Sequence, residues 1–146
     1  MRRGVAEGMD ATTPTPAAAP PYQIAERTFE FSCEVVRLCQ QLGRRDWIAQ
    51  HVARQLLAAG TSVGANVEEA QAPASARDFV SRAGVALREC RETRFWLRLV
   101  SACQLAPDLP VERLNDESRQ LTAILTTMVR TSRAKLPKPR PSRRIR

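Results

Sequence analysis

The chain has 146 residues, 43% hydrophobic and 26% charged, the profile of a soluble domain long enough to bury one core. No apolar run approaches the roughly 18 residues that cross a bilayer, and the two N-terminal arginines precede no apolar stretch, so neither a membrane span nor a secretory leader is expected and the cytoplasm is the expected location. The formal charge of +8 is uneven: "RAKLPKPRPSRRIR", from Arg133 to the end, carries seven basic residues and no acid, which leaves +1 for everything before it.

Residues 1–21 include "ATTPTPAAAPP", too poor in large apolar groups to offset the entropy of ordering, and are read as a disordered extension. Four helical patterns follow. The first, residues 22–42, lines one face with Ile24, Thr28, Phe31, Val35, Leu38 and Leu42, an adjacent one with Ala25, Phe29, Val36 and Cys39, and stops at Gly43. The second, residues 46–72, carries Ile48, Val52, Leu56, Ala59, Val63, Val67 and Ala70 in phase and closes before Pro73. The third, residues 75–104, opens on Ser75 with Asp78 three residues later, a capping-box start, and carries Phe79, Ala83, Leu87, Cys90 and Leu97 on one face. The fourth, residues 110–133, starts at Pro110 and spaces Val111, Leu114, Ser118, Leu121, Leu125, Met128 and Ser132 as a heptad seam.

With short connections and no strand pattern, residues 22–133 are expected to form an all-α, antiparallel up-and-down four-helix bundle. Residues 134–146 form a basic tail, kept from helix by Pro137, Pro139 and Pro141 and expected to be disordered like the N-terminal extension.

The second helix contains "AAGTSVGANVEEAQ", rich in poor helix formers. A phosphate loop would need a strand before the glycines and a lysine beside them, and this region has neither. The apolar seam runs through the stretch without slipping, so it is read as helix, in which two interior glycines cost about 1 kcal/mol each. A hairpin centred between Pro73 and Ala74 sets Gly64 opposite Ala83 and Gly84, and Gly60 opposite Leu87. Gly60, Gly64, Ala83 and Gly84 are therefore expected to let helices two and three approach closely. Ser62, Asn66 and Glu69 form a polar strip beside that seam, read as fixing register or, alternatively, as contacting a ligand or partner.

Cys33, Cys39, Cys90 and Cys103 form no C-x-x-C pair and His51 has no second histidine, so no metal site is expected. No acid–base pair or activated nucleophile stands at usable spacing, so neither a catalytic residue nor a cofactor-binding residue is assigned, and His51 is read as structural or solvated.

On helix three, Arg88, Arg91 and Arg98 can share one face, either as a solvated surface or as a phosphate-binding stripe. Arg94 falls in phase with Cys90 and Leu97, so it needs a carboxylate, with Glu34, Glu69 and Glu117 as candidates. Phe95, Trp96 and Leu99 widen the apolar arc beyond one core and are read as a subunit interface, against the alternative of a wide core face. In the tail, Arg133, Lys135, Lys138, Arg140, Arg143, Arg144 and Arg146 offer salt-sensitive attraction to phosphate without an aromatic for base stacking. No amphipathic apolar face accompanies them, so a membrane partner is not expected.

"RQLLAAGTSVGANVEEAQ" followed by "ARDFVSRAGVALRECRETRFWLRLV" resembles the bacterial four-helix-bundle proteins encoded within intervening sequences of 23S rRNA genes. The resemblance extends more weakly over residues 22–133. It implies a left-handed bundle assembled as a ring-like homopentamer, with no catalytic activity or cofactor. It also points to relatives that serve as accessory proteins of diversity-generating retroelements and bind nucleic acid and a reverse transcriptase through a basic surface. The N-terminal extension and arginine-rich tail depart from the family pattern. The expected function is a non-enzymatic, homo-oligomeric scaffold that binds nucleic acid, RNA in preference to DNA. The alternative is a protein-interaction adaptor, such as the accessory subunit of a retroelement reverse transcriptase.

Overall fold

The computed structural model describes residues 21–137; the expected disorder of both ends lies outside them, apart from the first few residues of the tail. Four helices, α1 (Pro21–Leu42), α2 (Trp47–Glu69), α3 (Ala76–Ala102) and α4 (Val111–Ala134), form an all-α up-and-down bundle. Helices adjacent in sequence pack against each other and α4 closes back on α1, so α1 lies diagonally across from α3. Successive helices run in opposite directions, which brings the N-terminus of α1 and the C-terminus of α4 to the same end.

Local chemistry sets the boundaries. Asp46 caps α2 by accepting from the Ile48 and Ala49 amides, both at 2.9 Å. Ser75 caps α3 by accepting from the Asp78 amide at 3.1 Å, and the Asp78 carboxylate accepts in turn from the Ala74 amide. The reciprocal bond thus lands one residue earlier than in a standard capping box. Helix α2 ends at Glu69, short of the expected 72, because the amides of Gln71 and Ala72 turn back to carbonyls three residues away. The left-handed backbone position follows α3 instead of falling at Gly43. Gln104 has φ of 54°, and the Leu105 amide reaches the Val100 carbonyl while that of Gln104 reaches Ser101, a Schellman ending without glycine.

The core follows the apolar seams. Every residue of the α1 seam is buried, as is the α2 seam from Val52 to Ala70, while Ile48 in the first turn is 47% exposed. In α4 the burial drifts. Met128 is half-buried and Val129 takes the core position, because a straight helix turns every 3.6 residues while the heptad counts 3.5. In α3, Phe79 is half-buried, and Thr93 fills the layer between Cys90 and Leu97, its hydroxyl donating to the Glu89 carbonyl at 2.7 Å. Arg94 is displaced to the edge of that layer.

The glycines of α2 serve a different neighbour from the one expected. A Cβ on Gly60 would stand 2.6 Å from Cγ1 of Val35, and one on Gly64 would stand 2.7 Å from the Ser32 hydroxyl and 3.2 Å from the Thr28 carbonyl. The close approach is therefore between α2 and α1. A Cβ on Gly84 would meet nothing within 4 Å, so Gly84 is no packing glycine, although Ala83 beside it is fully buried.

The Ser62–Asn66–Glu69 strip is likewise redistributed. Asn66 donates to the Ser62 carbonyl within its own helix, and Glu69 pairs with Arg82 of α3 at the surface. A buried-side cross-helix bond comes instead from Ser32, whose hydroxyl lies 3.0 Å from the Gly60 carbonyl and 2.9 Å from that of Thr28. A side chain at position 64 would press on that hydroxyl and displace it.

Candidate nucleic-acid interface

The groove between α3 and α4 gathers arginines from both helices. Arg88, Arg91 and Arg98 are exposed along α3, and Arg94 is half-buried. Toward the C-terminal end of α3, Arg94 and Arg98 join Arg119 of α4 around a shallow depression of about 470 Å³ that also holds Asn115, Glu112 and Asp116. Toward the other end, Arg130 and Arg133 border a second depression of about 450 Å³ with Leu87 and Val129 at its base and no acid in its lining.

Charge in this groove is largely uncommitted. None of Arg88, Arg91, Arg94, Arg98, Arg130 and Arg133 forms an ion pair with another described residue. The carboxylates expected for Arg94 serve other arginines: Glu34 pairs with Arg113, Glu69 with Arg82 and Glu117 with Arg27. Arg94 does without one because it sits at the solvated groove, where its charge keeps its hydration. Arg119 bonds Asp116 one turn earlier at 2.7 Å. Hydrogen bonds from Arg119, then Gln120, hold the Asp116 carboxyl below its ordinary value. That pair is exposed on both sides and constrains Arg119 little.

The groove between α1 and α4 shows the opposite treatment of the same residue types. It encloses about 450 Å³ and is lined by Arg27, Glu30, Glu34, Arg113, Asp116 and Glu117, with Phe31 beneath and Gln120 beside. Arg27 grips Glu117 with two bonds of 2.6 and 2.9 Å and donates to Gln120 at 2.8 Å. The bond to Glu117 raises the Arg27 pKa against the opposing effect of burial. With Arg113 on Glu34, both arginines of this seam are paired within it, and acids outnumber them.

Arg98 and Arg133 line the α3–α4 groove at its two ends, Arg91 is in helical phase with Arg98, and Arg88 is exposed farther round α3. Lys135 is exposed just beyond α4, and Lys138, Arg140, Arg143, Arg144 and Arg146 lie outside the described residues. Arg119 and Arg130 belong to the groove although nothing in the sequence reading singles them out. A signal for them exists: 11 residues separate them and three more reach Arg133, offsets close to whole turns, so all three share one flank of the α4 apolar seam.

Phe95 is 54% exposed, whereas Trp96 and Leu99 are half-buried and pack against the core. The Phe95 and Trp96 rings meet edge-to-face with centroids 5.0 Å apart, and the Trp96 indole donates to Glu92 at 3.2 Å.

Of the four thiols, Cys39 and Cys90 are buried and placed for packing, Cys33 is half-buried and Cys103 is exposed. Burial pushes Cys39 up to about 12 and also raises Cys90, whose sulfur lies 3.4 Å from both the Ser118 carbonyl and the Thr122 hydroxyl. Among the described residues no three of His, Cys, Asp and Glu gather to hold a metal, and no helix is long and apolar enough to cross a membrane. His51 is exposed.

The 23S rRNA-intervening sequence protein model matches residues 21–127, which takes in α1 to α3 and most of α4. Among solved structures, a protein with unknown function from the S23 ribosomal protein family of Bacteroides thetaiotaomicron VPI-5482 is similar, at 27% identity with a TM-score of 0.68. The alignment covers 75% of this chain and 97% of that one. A search among curated proteins found no match. The family match ends before Arg130 and Arg133, so the far end of the arginine groove lies beyond it. On the extent of that match and the shared fold, the chain belongs to the 23S rRNA-intervening sequence protein family.

Proposed function

We propose that the chain is a non-enzymatic, homo-oligomeric scaffold that binds nucleic acid along the α3–α4 groove, RNA in preference to DNA. One observation supports this reading: apart from Arg119, which pairs with Asp116, the arginines of the groove form no ion pair with a described residue, whereas the neighbouring α1–α4 groove pairs its own. Guanidinium groups free of internal partners can displace counterions from phosphate, giving affinity that falls steeply with salt. The basic segment from residue 134 onward continues the chain from the Arg130–Arg133 end and adds to the same attraction. Oligomerisation, which the family likeness supports, would repeat the groove and multiply its avidity.

Deleting residues 134–146 tests the proposal. RNA binding is expected to weaken, and log Kd to depend less on log salt, by about 0.7 for each single-strand phosphate that the tail no longer neutralises. Unchanged affinity would remove the tail from the interface.

The adaptor reading is favoured by a separate observation. Trp47 is 76% exposed at the start of α2, a large apolar surface of the kind protein partners cover. A reverse transcriptase is the candidate partner, and Trp47→Ser should abolish its capture while sparing RNA binding.

A further inference from the structure

We propose that the α3 flank of the arginine groove is built for single-stranded nucleic acid, with Phe95 as a platform for an unpaired base. This rests on the nucleic-acid reading above and narrows it. Among the described residues, Phe95 is one of the few large apolar side chains left open to solvent, and arginines flank it one and two turns away. On a helix, Arg91 lies one turn before it, Arg98 one turn after, and Arg88 two turns before. These arginines are exposed and form no ion pair with a described residue. The acid on that flank, Glu92, is engaged by the Trp96 indole.

The contact with Trp96 fixes the ring without hiding it. An edge-to-face neighbour at 5.0 Å and 74° covers at most one face of Phe95, so a flat face stays open. An exposed aromatic held between guanidiniums offers what a single strand needs, a π-face for a base and positive charge for the phosphates on either side. A duplex keeps its bases stacked inside and can use only the arginines. The chemistry therefore points to unpaired RNA or DNA, read by stacking and backbone charge without sequence preference.

The test compares labelled oligouridine with a duplex RNA of equal length, titrated into the full-length protein. Phe95→Leu keeps the apolar contact with Trp96 and removes the π-face. It is expected to weaken oligouridine binding about tenfold, leave duplex binding and the salt slope unchanged, and be rescued by Phe95→Trp. Equal weakening on both probes, or none on oligouridine, overturns the stacking assignment while leaving the arginine groove intact. If the wild-type protein binds neither probe, the nucleic-acid reading falls and this proposal falls with it. Sedimentation of Phe95→Leu provides the last arm: an altered oligomeric state would place Phe95 in a subunit contact and overturn the proposal.

Discussion

Helices α1 and α3 stand diagonally across the bundle and use the same kinds of residue for different ends. On α1, the arginine–carboxylate contacts with α4 are closed, Arg27 on Glu117 and Glu34 on Arg113. Its other flank is pressed against Gly60 and Gly64 of α2 closely enough that the Ser32 hydroxyl reaches a backbone carbonyl. On α3, Arg88, Arg91, Arg94 and Arg98 form no ion pair with a described residue and Gly84 faces open space. Paired charge on α1 and its close approach to the glycines of α2 hold the fold together. On α3, Arg82 pairs with Glu69 and Asp78, but Arg88, Arg91, Arg94 and Arg98 are not drawn into the fold.

This contrast is tested most severely at Gly64. Leucine there would drive a side chain into the Ser32 hydroxyl and the Thr28 backbone, and the melting temperature should fall by about 10 °C or more, as overpacking costing about 3 kcal/mol implies. Wild-type stability would mean that α1 is not clamped. Next comes Arg91→Glu with Arg98→Glu, expected to weaken RNA binding at least about tenfold at moderate salt with little change in melting temperature. A large drop in stability would show that α3 arginines serve the fold after all. Arg27→Ala should do the reverse, leaving RNA binding alone and costing about 1 kcal/mol in denaturant unfolding, since the pair is partly solvent-screened. The smallest effect is expected at Gly84. Alanine meets no neighbour there and should stabilise α3 by about 0.5–1 kcal/mol, whereas alanine at Gly64 should destabilise.

Much of the fold is legible in the sequence because apolar spacing reports which angular sector of a helix faces the core. The α1 seam from Ile24 to Leu42 is buried throughout, and Asp78 does answer Ser75 at the start of α3. What spacing does not report is the identity of the neighbour on each side of that sector. Gly64 and Asn66 flank the α2 seam on opposite sides, and pairing positions across the α2–α3 turn puts Gly64 against α3 when it belongs to α1. Choosing between them requires the hand of the bundle, which a pattern along one helix does not contain. The ion pairs are illegible for a related reason: Arg27 and Glu117 are 90 residues apart. The phase of Arg94 allows burial, yet a one-residue rotation gives Thr93 the core position. The arginine groove is half-visible, because α3 shows its basic face while Arg119 and Arg130 need α4 placed beside it.

Arg130 and Arg133 stand in the last turns of α4, so the chain continues from them directly into its basic segment. A segment joined to the chain there has no spacer to cross, so under the proposed function its local concentration near a strand in the groove would be high. Groove and tail would then act as two grips on one ligand. Losses from the two grips add only if each works alone, and a strand that spans both makes the double loss differ from the sum. A double-mutant cycle between Arg91 and the tail measures that coupling, and zero coupling would mean that each grip holds a different molecule.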